Sequence, residues 1–193
     1  SRLESVVKAA VSKVYKNFEL TAILGELHSI QVFVVGQVRR PGVYLLSARS
    51  TLISSLFIAG GAKYSGSLRN IQLKRGKDTV IDFDIYKLLQ EGDISGDLML
   101  KAGDVIYVPP VGELAAISGG VNVPGIYEIT MGTSVADLVQ LAGGLASTAS
   151  LDNISLERIL AHRSRVVRKI NTKSDGMLLK LRDGDLVNVP SIS

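Results

Sequence analysis

The chain has 193 residues, 46% hydrophobic and 21% charged, which suits a globular protein of one large or two small domains and leaves little room for extended disorder. Cysteine is absent and the histidines are His28 and His162 alone, so disulfides, thiolate metal sites, thiol catalysis and histidine-rich metal centres are excluded. The net charge of +4 permits an acidic partner without requiring one, and no apolar run approaches the about 18 residues of a membrane helix.

In chain order, Ser1-Arg2-Leu3-Glu4 lacks the basic-then-apolar layout of a secretion signal, so any such signal is expected outside the chain. Leu3, Val6, Val7, Ala10, Val11 and Val14 trace one helical face, with Lys8, Lys13 and Lys16 elsewhere, which predicts an amphipathic helix packed on its own domain. Residues 18–22 then turn extended, and the whole opening segment reads as the end of a preceding domain. Val32-Phe33-Val34-Val35 predicts a strand buried on both faces. Pro41-Gly42 predicts a type II turn into a second strand carrying Tyr44, because proline presets φ and glycine accepts a positive one. A helix capped by Ser50 or Thr51 buries Leu52, Leu56 and Ala59 and stops at Gly60-Gly61. Residues 71–75 and 79–85 alternate as strands about Gly76-Lys77-Asp78, and a short helical turn follows over 86–90. Lys101-Ala102-Gly103-Asp104 turns into the strand Val105-Ile106-Tyr107-Val108, closed by Pro109-Pro110.

The pattern is then written a second time. Sliding the chain by 83 residues lays Gly36, Val38, Pro41, Gly42, Tyr44 and Ala59-Gly60-Gly61 over Gly119, Val121, Pro124, Gly125, Tyr127 and Ala142-Gly143-Gly144. Between Gly36 and Leu73, 13 of 38 positions are identical without a gap, against about 2 or 3 by chance from average composition. Farther on the offset becomes 81, and Gly103-Asp104 with Val108-Pro109 matches Gly184-Asp185 with Val189-Pro190. The second helix starts at Thr133 or Ser134 and buries Val135, Leu138, Val139 and Ala142; strands follow at 166–170 and 186–189. Two units of a hairpin, a helix and further strands make an α+β protein.

The set of landmarks resembles a known family. Val34-Val35-Gly36-Gln37-Val38-Arg39-Arg40-Pro41-Gly42-Val43-Tyr44, the Ala59-Gly60-Gly61 helix end and the run from Leu100 to Pro109 look like an SLBB domain, a soluble-ligand-binding β-grasp unit. The second copy matches through 120–127, 142–144 and 184–190. Tandem copies after a segment such as Leu24-Gly25-Glu26-Leu27-His28 resemble outer-membrane polysaccharide export proteins of the Wza type. The resemblance implies a preceding polysaccharide-export domain ending at residues 1–29, a first β-grasp unit over 30–112 and a second over 113–193. It also implies a non-enzymatic, cofactor-free piece of a capsular or exopolysaccharide export protein. Such a piece is expected in the periplasm and attached to the outer membrane through parts beyond this chain. It would be scaffold and subunit interface of a self-associating ring, with an inner-membrane polysaccharide co-polymerase as partner. A stand-alone carbohydrate-binding β-grasp module and an accessory domain of an enzyme are the alternative readings.

No catalytic constellation is present. The loop from Gly61 to Ser67 lacks the lysine of a phosphate loop. Asp82 and Asp84, two apart on an expected strand, read as a solvated face before a metal site, and Asp183-Gly184-Asp185 reads as the repeat of the Gly103-Asp104 turn. Arginine is the more informative residue. Arg158, Arg163, Arg165, Arg168 and Lys169 fall within twelve residues that hold no acid, and Arg39-Arg40 form a second cationic tip. Guanidinium pairs bidentately with carboxylates, so Arg39, Arg40, Arg163, Arg165, Arg168 and Lys169 are the candidate contacts for the carboxylates of an acidic polysaccharide. Nucleic acid is not expected, because only 5% of the residues are aromatic and no stacking platform interleaves with the cluster. A solvated strand face or a subunit contact accounts for the same charges.

Overall fold

The two copies fold to one topology. In the computed structural model, which describes residues 6, 9–11, 28–160, 163–171 and 175–192, the first unit runs β1 (Ser29–Gly36), β2 (Gly42–Ser47), α1 (Leu52–Ile58), β3 (Ile71–Arg75), β4 (Asp78–Phe83), α2 (Ile85–Glu91) and β5 (Val105–Val108). The second runs β6 (Leu114–Gly119), β7 (Gly125–Glu128), α3 (Val135–Leu141), β8 (Ser155–Leu160), β9 (Ser164–Lys169) and β10 (Asp185–Val189). The sheet orders are β2-β1-β5-β3-β4 and β7-β6-β10-β8-β9, so each strand keeps its place. In each sheet the first and last strands, β1 with β5 and β6 with β10, pair in parallel, and every other pairing is antiparallel. Each sheet has its own core: Val32, Val34, Leu56, Ile71, Leu73 and Ile106 in the first, and Ile117, Leu138, Ile154, Leu156, Val187 and Val189 in the second. Burying a side chain of this size contributes about 1.5–3 kcal/mol, so each unit has a stabilising centre independent of the other.

The helices form where local chemistry allows them. Thr51 accepts from Ser54 N–H while the Ser54 hydroxyl accepts from Thr51 N–H, and Ser134 and Asp137 make the same reciprocal cap for α3. Hydrogen bonding from Ser134 holds the Asp137 carboxyl below its ordinary range. Gly60 and Gly61, like Gly143 and Gly144, take positive φ and end the helices as expected. The carbonyls of Gly61 and Ala59 receive the backbone N–H groups of Arg39 and Arg40, and those of Gly144 and Ala142 receive the N–H groups of Asn122 and Val123. The helix end and the hairpin tip are therefore one backbone-tied assembly in both units.

Several local expectations differ from what is found. Gly42 and Gly125 are not among the glycines of positive φ; Pro41-Gly42 lies at the end of a wider reversal over residues 37–41. The positive φ sits instead at Gly36 and Gly119, where a Cβ would stand 2.1 Å from Val108 O and 2.0 Å from Val189 O. That close approach lets the next residue, Gln37 or Gly120, donate its N–H to the same carbonyl. Strand β1 is buried on one face only: Val32 and Val34 are sealed against α1, while Phe33 and Val35 on the open face are half-buried. Strand β4 ends at Phe83, and Asp84 caps α2 by accepting Tyr86 N–H at 2.8 Å, so the expected turn at 86–90 is a two-turn helix. Most of residues 1–29, including Leu3, Val7 and Val14, and His162 lie outside the described residues; Val6 and residues 9–11 are helical, with Val6 63% exposed.

Candidate functional site

The cationic cluster resolves into a structural residue and an exposed strand. Arg158 matches Arg75 at the 83-residue offset, and both are spent within the fold. Arg75 Nε and NH2 meet Asp104 Oδ1 and Oδ2 at 2.8 and 2.7 Å; Arg158 meets Asp185 the same way at 2.8 and 2.6 Å. The two carboxylates are fully buried, and each also accepts the N–H three residues back, from Lys101 or Arg182. Burial pushes the Asp104 carboxyl up, but the Arg75 hydrogen bonds, the Lys101 N–H and the Arg75 charge together outweigh it and hold the group below its ordinary value. Asp185 of the Asp183-Gly184-Asp185 turn is thus a structural anchor. Asp183 accepts Leu114 N–H at 2.8 Å.

Arg163, Arg165, Arg168 and Lys169 are all exposed on or beside β9, the outer strand of the second sheet. Alternation puts Arg165 and Lys169 on the open face and Arg168 on the other, while Arg163 lies in the turn before the strand. Arg165 pairs with Glu157, and Lys169 Nζ donates to Asn153 Oδ1 at 2.9 Å. The strand therefore presents charge along an edge, an arrangement that also discourages edge-to-edge aggregation. At the other candidate tip, the Arg40 guanidinium donates to Ile58 O at 2.6 Å and caps the α1 end, while Arg39 is exposed. In the second unit Asn122, at the place of Arg39, ties the tip to the helix end by donating to Gly143 O at 2.7 Å. The two arginine groups lie on different units.

The residues that join the units were not visible to periodicity or charge counting. Glu128 on β7 is only 6% exposed. Its carboxylate accepts Ser67 Oγ at 2.7 Å, Leu68 N–H at 2.8 Å and Gly112 N–H at 2.9 Å. Arg69 Nε donates to Glu128 O at 2.8 Å, its NH1 meets Asp84 at 3.1 Å, and its guanidinium stacks 4.1 Å above the Tyr86 ring. Tyr86 Oη accepts Glu128 N–H at 3.1 Å, and burial pushes that phenol up. A signal did exist: the matching position in the first unit is Leu45, 74% exposed, so an acid replaces an apolar residue where the repeat changes partner. Asp84, read with Asp82 as a possible pair, belongs to this joint and to the α2 cap. Among the described residues no three acidic or histidine side chains gather to hold a metal, and no helix is long and apolar enough to cross a membrane.

Comparison with known proteins agrees with the duplication. SLBB domains match residues 30–108 and again 114–170. Two curated sequences described as the polysialic acid transport protein KpsD of Escherichia coli are each 32% identical over 123 residues, 63% of this chain. The match spans 22% of the length of those relatives.

Proposed function

The chain belongs to the family of polysaccharide export proteins that carry SLBB domains in tandem, and on that premise we propose that it is the scaffold portion of a capsular or exopolysaccharide conduit. The observation that carries this reading is the doubled domain together with likeness to a polysialic acid transport protein. In this reading the paired units sit in the periplasm beneath the outer membrane, meet copies of themselves in a ring, and engage an inner-membrane co-polymerase. Neither the domain family nor KpsD is described as an enzyme. Rigid paired units with separate cores suit a role of holding shape.

Polysialic acid bears one carboxylate per sugar, and the exposed Arg163, Arg165, Arg168 and Lys169 along β9 supply donors of the matching charge. Arg158 is paired with Asp185 and Arg165 with Glu157, so Arg163, Arg168 and Lys169 carry most of the polyanion contact in this reading. The experiment is an amide chemical-shift titration with a sialic acid oligomer. Shifts concentrated at 163–169 that vanish in Arg165→Glu/Arg168→Glu and weaken with salt support the contact; silence there removes it. Solution mass of the longer protein, measured with and without β9 charge reversal, tests the ring and whether this edge serves it instead.

A further inference from the structure

Away from the cationic strand, a crevice runs between the two units, walled by α2 on one side and by α3 and the second hairpin tip on the other. Its less polar half has a volume of about 450 Å3, within the about 300–1,000 Å3 of small-molecule sites. Tyr86 and Leu89 line it from the first unit, Val123, Tyr127 and Leu141 from the second, and Gln90, Glu91 and Gln140 add polar groups. The same Gln90, Glu91 and Gln140 border a more polar half of about 350 Å3 that continues to Arg69 and Asp137.

Both aromatic rings are held before anything binds. Tyr127 Oη donates to Val123 O at 2.6 Å, and Tyr86 is fixed by Glu128 N–H and by the Arg69 guanidinium stacked on its ring. Fixed rings lose little freedom when a ligand packs on them. The side chains of Gln90, Glu91 and Gln140 are exposed. Arg69 is engaged by Asp84 and Glu128 O, so its charge is spent locally, whereas Glu91 and Asp137 leave the crevice with an acidic bias. Pinned rings, aliphatic walls, amides and an acidic bias fit a ligand with apolar ring faces, many hydroxyls and no negative charge. Because Val123, Gln140 and Leu141 correspond to Arg40, Phe57 and Ile58 in the first unit, this wall changes character between copies.

We propose that the crevice is a binding subsite for an uncharged saccharide, an N-acetylated hexosamine being the best fit. Its methyl and ring faces would contact the tyrosines and aliphatic walls, and its hydroxyl and amide groups the two glutamines and Glu91. The proposal rests on the reading that this chain handles glycan, but it uses a surface separate from β9. The test is a pair of amide titrations of the whole chain, one with an N-acetylglucosamine trimer and one with a sialic acid trimer. The neutral trimer should move Leu89, Gln90, Gln140 and Leu141 saturably. Gln140→Phe, the residue of the first unit at that place, and Gln90→Ala should each weaken this at least tenfold, and both side chains are exposed, so neither change disturbs a core. Absence of saturable shifts in the crevice, equal response to the charged trimer there, or indifference to Gln140→Phe would overturn the proposal. Shifts at 163–169 with a silent crevice sink this subsite and leave the export reading standing; shifts in the crevice with a silent β9 do the reverse for the polyanion contact.

Discussion

Glu128→Ala tests how the units are joined. The side chain accepts two hydrogen bonds that cross between units, from Ser67 Oγ at 2.7 Å and Leu68 N–H at 2.8 Å, and a third from Gly112 in the connecting segment. A hydrogen bond to a charged acceptor contributes about 1.5–3 kcal/mol net, so the two crossing bonds set an upper limit of roughly 3–6 kcal/mol by the same scale. Water recovers part of this when the joint opens, and a loss of about 3 kcal/mol in docking is expected, on the order of a hundredfold in the equilibrium. The joint weakens without vanishing, because Arg69 to Glu128 O and Glu128 N–H to Tyr86 Oη involve atoms that alanine and its backbone leave in place. Each unit should stay folded, since the two cores share no residue. Nitrogen-15 relaxation reads this directly: the parent should tumble as one body and the variant should show a shorter correlation time for each unit, with faster hydrogen exchange at Leu68. An unchanged correlation time together with unchanged Leu68 protection would refute the assignment of Glu128 as the clasp.

Other consequences follow from the repeated details. Asp104 binds its proton less tightly folded than unfolded, so its contribution is complete above the unfolded pKa of about 3.9 and is lost as pH falls through the lower folded value. Asp104→Asn should lower stability at neutral pH and flatten the acid limb of a denaturation series. Gly36→Ala should cost about 4 kcal/mol or more, since the new Cβ meets Val108 O at 2.1 Å as well as a positive φ. Gly103→Ala has the same φ with open space and should cost only about 1–2 kcal/mol, both read by chemical denaturation. Tyr127→Phe removes the bond to Val123 O and should cost about 1 kcal/mol; Tyr44→Phe, which loses the bond to Arg40 O, should match it within error in the same assay.

What could be read in advance was whatever a short stretch of chain decides by itself. Thr51 with Ser54, Ser134 with Asp137 and the paired glycines after each helix are local devices, and the helices lie where those residues put them. The tandem and its α+β class were legible because the same local devices recur at one spacing. Misreadings came where a distant partner decides. The hairpin φ belongs to Gly36 because Val108 O arrives from the other end of the unit, not to the glycine after proline. Asp84 looked like a strand residue until α2 needed a cap and Arg69 a counterion. Arg158 counts with the cationic cluster because its partner Asp185 is 27 residues away. Glu128 has no local signature at all: its donors come from 16 to 61 positions away.

The clasp also bears on how such chains lengthen. The donor side of the joint is mostly main chain, held in place by a Ser-Leu pair that the second unit repeats as Ser150-Leu151. The acceptor side is a single carboxylate, at a position where the first unit has Leu45. Adding another module in series therefore demands few new side chains at the seam, and an array of this kind can change its number of links while leaving every link's interior untouched.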